Sequence, residues 1–160
     1  PGLGDYRWTL SSIALANIVF GILLLFSTYV GKENKQNGRM KVWEAFFIGL
    51  FQCFSLISGA SRSGTAITAA LFLGFNKTDA AKFSLMLSIP TIAGAILFSF
   101  LDIKNLETNI SILTTFIGFL TTFIVAYISI DIFLKVVKSI GYTPFILYRM
   151  LLGILILWLI

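Results

Sequence analysis

Apolar residues in this chain fall in long blocks separated by short polar stretches, with no sustained amphipathic alternation. A bilayer core takes about 20 apolar residues at 1.5 Å rise each. Residues 9–30 meet that length and are predicted as a first spanning helix. The polar stretch 31–41 follows, and its four cations against one acid place it in the cytoplasm. The next two apolar runs, 43–58 and 65–75, are shorter. They reach only about 24 Å and 16 Å at helical rise, so the second cannot cross the hydrocarbon core. The pattern predicts a re-entrant helical hairpin over 43–75, entering and leaving on one side. A polar tip at membrane depth is tolerated only where it is buried in protein or lines a wet cavity.

Asn76-Lys77-Thr78-Asp79 closes the hairpin and opens a spanning helix over 79–101, with Thr78 expected as N-cap and Asp79 in the first turn. Pro90 should kink that helix. The slightly acidic stretch 102–109 fits the outer side, and 110–134 span back to Lys135 and Lys138. Thr143-Pro144 opens the last run, 145–160, with proline at the first helical position. The expected fold is an all-α integral membrane unit over 1–160, with about four spanning helices plus one re-entrant hairpin and the N-terminus outside. It contains neither a soluble domain nor a convincing internal repeat.

Composition agrees with that reading. Of 160 residues, 58% are hydrophobic and 12% charged, and mean hydropathy is +0.94. A soluble domain carries roughly a quarter charged residues. The net charge of +5 comes from cations in short loops, which is a topology signal rather than a nucleic-acid face. Cys53, the single cysteine, lies in an apolar run and implies neither a disulfide nor a thiolate metal site. Histidine is absent, so no histidine base is available within the chain. The first residue is Pro1, a start that either methionine removal before proline or a fragment beginning mid-protein would produce, the fragment being the expectation.

The chemistry concentrates in residues 55–68, where Arg62 stands among Ser55, Ser58, Ser61, Ser63, Gly59, Gly64, Thr65 and Thr68 between two apolar runs. A charge inside a membrane helix costs roughly 2.5–3.5 kcal/mol on insertion scales, so it needs a compensating partner. An arginine fork meets two phosphate oxygens at once. Gly59 and Gly64 are expected to give the backbone tight, left-handed freedom. A helix starting near Thr65 would aim its unpaired N–H groups at the same point. Arg62 with the hydroxyls of Ser61, Ser63 and Thr65 then forms an anion site suited to phosphoryl transfer. The plainer alternative is that Ser and Gly pack helices while Arg62 caps a helix or snorkels.

Other polar positions have simpler explanations. Ser84, Ser88, Thr91 and Ala95 form one stripe at spacings of three and four, and Ser111, Thr115, Gly118, Thr122, Ala126 and Ser129 form another. Close helix packing is the simpler reading of both, with cavity lining as the alternative. Arg149 sits about a turn inside the cytoplasmic end of the last run and is expected to snorkel as a structural residue. Glu44 and Asp131 lie near loop borders and are expected to be solvated or paired.

The run Phe51-Gln52-Cys53 through Ser61-Arg62-Ser63-Gly64-Thr65, then Phe72-Leu73-Gly74, Phe83-Ser84, Ile89-Pro90, Thr143-Pro144-Phe145 and Tyr148-Arg149, resembles the undecaprenyl-diphosphatase family, also called the bacitracin-resistance proteins. The resemblance covers nearly the whole chain. It implies a multi-pass bacterial inner-membrane hydrolase that converts undecaprenyl diphosphate to the monophosphate. That reaction recycles the lipid carrier of peptidoglycan synthesis and confers bacitracin resistance. It also implies an architecture of two inverted repeats, each with a re-entrant hairpin, of which this chain would be half. Carried over by position, Arg62 is the phosphate-binding arginine, with Ser61 and Ser63 beside it and Gly59, Gly64 and Thr65 completing the loop.

Two positions depart from the family pattern: Ser58 stands where proline is usual, and Ala66 where threonine is usual, with Thr65 adjacent. The family's N-terminal motif of paired glutamates and a Ser/His pair has no counterpart here. The chain therefore matches a little over the C-terminal half of a member. The absent part is expected to hold base, nucleophile and any Mg2+ or Ca2+, since no acidic cluster here forms a metal site. The expected partners are a polyprenyl diphosphate and the membrane, not nucleic acid. The alternatives are a lipid-carrier or small-anion transporter, and a non-catalytic membrane subunit.

Overall fold

The computed structural model describes residues 10–31, 35, 40–103 and 111–159, with backbone only for 100–103. Six α-helices follow in order: α1 (Leu10–Val30), α2 (Val42–Gln52), α3 (Arg62–Phe72), α4 (Lys77–Ile103), α5 (Ile112–Ile140) and α6 (Thr143–Leu159). A 3-10 turn, Cys53–Leu56, continues α2. Among the described residues, three helices are long and apolar enough to cross a membrane: α1, α4 over Lys77–Ser99, and α5. The 17-residue α6 is apolar but shorter. An all-helical integral membrane protein is the result. Of the outer loop expected at 102–109, residues 102–103 belong to α4 and 104–109 fall outside the described residues, as does most of the 31–41 loop.

Helix α3 is the centre of the packing. Every residue from Gly64 to Leu71 is buried, with α1, α2 and α4 packed around it. A helix covered on all sides must be slim, and Thr65, Ala66, Thr68, Ala69 and Ala70 make it so. Its hydroxyls bond within the helix: Thr68 Oγ1 donates to the Gly64 carbonyl at 2.7 Å, and Thr65 Oγ1 to that of Arg62 at 2.9 Å. Helix α6 packs along α1, where Gly153 admits Ile18: a Cβ at 153 would lie 2.6 Å from Ile18 Cγ1.

Local signals hold in part, with corrections to the helix boundaries and to both small-residue stripes. Asn76, not Thr78, caps α4: its Oδ1 accepts the Asp79 N–H at 2.8 Å, and its Nδ2 donates to Asp79 Oδ2 at 2.8 Å. Asparagine is at least as good a cap as threonine, and it sits one residue before the helix. Helix α4 runs unbroken through Pro90. Helix α3 begins at Arg62 rather than near Thr65, because the Ser61 hydroxyl caps it by accepting the Gly64 N–H at 3.2 Å. The stripe on α4 splits: Ser84 is buried and bonded to the Ala81 carbonyl, while Thr91 and Ala95 are exposed. The stripe on α5 is exposed throughout.

The loop end of α2 is pinned by Glu44, which is 2% exposed. Its Oε1 pairs with Lys35, and its Oε2 accepts the Lys41 N–H at 2.8 Å. The Lys35 ammonium also lies 5.1 Å from the Phe75 ring centroid. The hydrogen bond from Lys35, then that from Lys41, holds the Glu44 carboxyl below its ordinary value of 4.5. A depressed carboxyl pKa contributes stability above the unfolded value and loses it as pH falls through the folded one. Glu44→Gln should cost about 1–2 kcal/mol, discounted because Lys35 is partly exposed. Thermal melting in detergent at pH 7 should show the loss, and the gap to the parent should close as pH falls below 4.5 and on through the lowered folded value.

Candidate functional site

Between the 3-10 turn and α3 the chain crosses Ile57–Ser61 with two residues in the left-handed region: Gly59 at φ +97° and Ser61 at φ +67°. Glycine takes this conformation freely. For serine it is strained, and such strain gathers at ligand-binding turns. Gly64 does not use that freedom, since it lies within α3. It is small for another reason: a Cβ there would sit 2.7 Å from Arg149 Nη1.

Arg149 is the residue that sequence reasoning placed wrongly. It does not snorkel. It is only 9% exposed because α6 carries it against α1 and the 57–61 loop. Its Nε donates to Asn17 Oδ1 at 3.0 Å, and its Nη2 to the carbonyls of Gly59 at 2.8 Å and Ala60 at 3.1 Å. Nη1 is buried with no hydrogen-bond partner. Guanidinium has five N–H donors, and the two on Nη1 remain. All three acceptors are neutral oxygens, and no carboxylate among the described residues pairs with this cation. A signal for this existed in the sequence. Asn17 is a lone amide inside the first apolar block, and a polar side chain at that depth needs a partner.

Arg149 lines a cavity of about 360 Å³ together with Ser61, Ser63 and Gly64. The rest of the lining is largely apolar and aromatic, including Leu85, Ile130 and the edge-to-face pair Phe133–Phe145, 5.1 Å between centroids. Ser129 of the α5 stripe also reaches it. The residues singled out in the sequence therefore divide. Ser61, Ser63 and Gly64 join Arg149, and Gly59 supports it through its carbonyl. Thr65 is fully buried with its hydroxyl turned into α3. Arg62 faces the other side of the tip. It borders a second cavity of about 370 Å³ with Gln52, Ser55 and Thr91, is largely exposed, and its guanidinium makes no hydrogen bond or ion pair among the described residues.

The cavity thus brings a cationic side chain and the residues Ser61 and Ser63 together with an apolar and aromatic lining. The profile of bacitracin resistance protein BacA matches residues 5–155. The chain belongs to the BacA family. Curated relatives agree. An undecaprenyl-diphosphatase of Saccharophagus degradans is 43% identical over 152 residues, covering 93% of this chain and 56% of its own length. That of Alcanivorax borkumensis is 41% identical over 148 residues, covering 92% and 56%, and that of Geotalea daltonii 42% over 155, covering 95% and 57%. The chain thus spans a little over half the length of the relatives it matches.

Among the described residues no group of three His, Cys, Asp or Glu side chains gathers. The loop itself is exacting. Gly59→Ala would force a Cβ to 2.5 Å from the Ile13 carbonyl oxygen at a φ of +97°. We expect a loss of roughly 1–3 kcal/mol from the backbone conformation alone, read as a lower melting temperature in detergent.

Proposed function

We propose that the longer BacA-family protein of which these residues are a part hydrolyses undecaprenyl diphosphate to undecaprenyl phosphate and phosphate. The observation that carries this reading is Arg149 Nη1, a buried cationic donor without a partner, set beside Ser61 and Ser63 in a cavity walled by hydrocarbon. A lipid diphosphate has matching halves: an anionic head for the guanidinium and hydroxyls, and a prenyl chain for Ile130, Phe133 and Phe145. Arg149 and the loop donors meet charge that develops on the phosphate oxygens as the terminal phosphoryl group leaves. The N–H groups of Arg62 and Ser63 at the start of α3 add to the same field. Arg62 acts from the other side of the tip, and Thr65 supports the turn rather than touching substrate.

In this reading α2 and α3 form a re-entrant hairpin and the chain sits, multi-pass, in a bacterial inner membrane as one of two inverted halves. Nucleophile, base and any Mg2+ or Ca2+ ligands come from the rest of the protein. Recycling of the peptidoglycan lipid carrier, and with it bacitracin resistance, follows from that reaction. A transport reading draws on one observation, the interrupted helix α2–α3 at the polar tip, which is a transporter device.

Purified full-length protein in detergent should release inorganic phosphate from undecaprenyl diphosphate. Arg149→Ala and Arg62→Ala should each lower kcat/KM about 100-fold or more. Near-normal turnover in both variants, or flux of diphosphate lipid across liposomes without phosphate release, would overturn the assignment. Gly64→Ala is the sharper probe. Alanine is the better helix former by roughly 1 kcal/mol, which offsets part of the cost of shifting the held guanidinium, so the melting temperature should fall less than in Arg149→Ala while kcat/KM falls about tenfold as the new methyl displaces Nη1.

A further inference from the structure

Asn17 lies on α1, 132 residues away in sequence from the arginine it touches. It is only 9% exposed. Because guanidinium only donates, the amide must present its oxygen to Nε, and that oxygen fixes one edge of the planar fork. The carbonyls of Gly59 and Ala60 fix the Nη2 corner. Three acceptors on two sides leave the plane no freedom to rotate, so the unused Nη1 is held over Gly64. All three acceptors are uncharged. They therefore orient the arginine without cancelling its charge, as a glutamate or aspartate in the same place would.

From this geometry we infer that Asn17 is a positioning residue for the phosphate-binding Arg149, aiming its one unpaired nitrogen while leaving its positive charge whole. The inference rests on the phosphate reading of that cavity. Asn17 itself is not among the residues that line the cavity; it acts through the arginine. Two consequences separate this role from simple helix packing. Removing the acceptor should misaim the donor. Replacing it with an isosteric carboxylate should keep the aim but neutralise the charge.

The test uses the full-length protein and undecaprenyl diphosphate, with melting temperature measured in parallel. Asn17→Leu should lower kcat/KM roughly 10- to 100-fold. In an Arg149→Ala background the same change should cost nothing further, because a residue that acts only through Arg149 has nothing left to act on. Asn17→Asp, which keeps the oxygen in place, should fold like the parent and raise KM several-fold, with kcat reduced less than in the leucine variant. Wild-type KM in Asn17→Asp, or losses that simply multiply in the Asn17→Leu/Arg149→Ala double variant, would overturn the positioning role and leave the phosphate reading standing. Wild-type kcat/KM in Arg149→Ala alone would remove the phosphate reading, and the inference with it.

Discussion

A buried guanidinium with neutral partners organises this molecule. Arg149 on α6 is bonded to Asn17 on α1 and to two carbonyls of the loop that leads into α3. One side chain thereby ties three elements that are far apart in sequence. The arrangement demands a turn whose carbonyls face inward, which the left-handed backbone at Gly59 provides. It demands a close approach of α6 to α1, which Gly153 provides, and an uncluttered spot for Nη1, which Gly64 provides. A charge removed from water and given no counter-ion is costly. Its retention fits a cation kept for an anion that arrives from outside.

The slender α3 serves the same end. Buried on every side by α1, α2 and α4, it carries Ser61, Ser63 and Gly64 at its first turn, so the donors rest on the best-packed helix of the chain. Preorganised donors stabilise developing charge without reorganising. The end of the bundle at the α5–α6 turn is fastened separately. The Tyr142 hydroxyl donates to the Lys77 carbonyl at 2.7 Å, joining the α5–α6 turn to the start of α4. Burial pushes the ionisation of that hydroxyl upward, so it remains a donor at neutral pH. By contrast, α5 exposes one side chain after another from Ser111 to Ile132, an apolar surface fit for lipid or for other protein.

The two arginines illustrate how unevenly the site could be read. Arg62 was legible because it breaks an apolar pattern among serines and glycines, where periodicity offers no place for a charge. Its neighbours Ser61, Ser63 and Gly64 came with it, and they do line the amphiphilic cavity. Arg149 was not legible. Near a helix end, beside Tyr148, it looks like any side chain that could reach the interface, and nothing local says that Asn17 and the 57–61 loop lie within hydrogen-bond distance. The purpose of Gly64 was misjudged for the same reason. Its backbone is ordinary helix, and only the nearby guanidinium explains the missing side chain.

What the chain determined alone were the properties set by local composition. Long apolar blocks made helices of membrane length, short ones made α2 and α3, cations marked loops, and Asn76, Ser61 and Gly59 set boundaries by bonding or bending over a few residues. The family was also legible, because its motif is contiguous. Tertiary structure decided which polar side chains meet. The pairing of α1 with α6, and of both with the loop before α3, depends on close approaches between surfaces distant in sequence. Hydrophobic pattern reports that a face is buried but not against what, so the buried Arg149 beside Ser61 and Ser63 emerged only when the helices were packed.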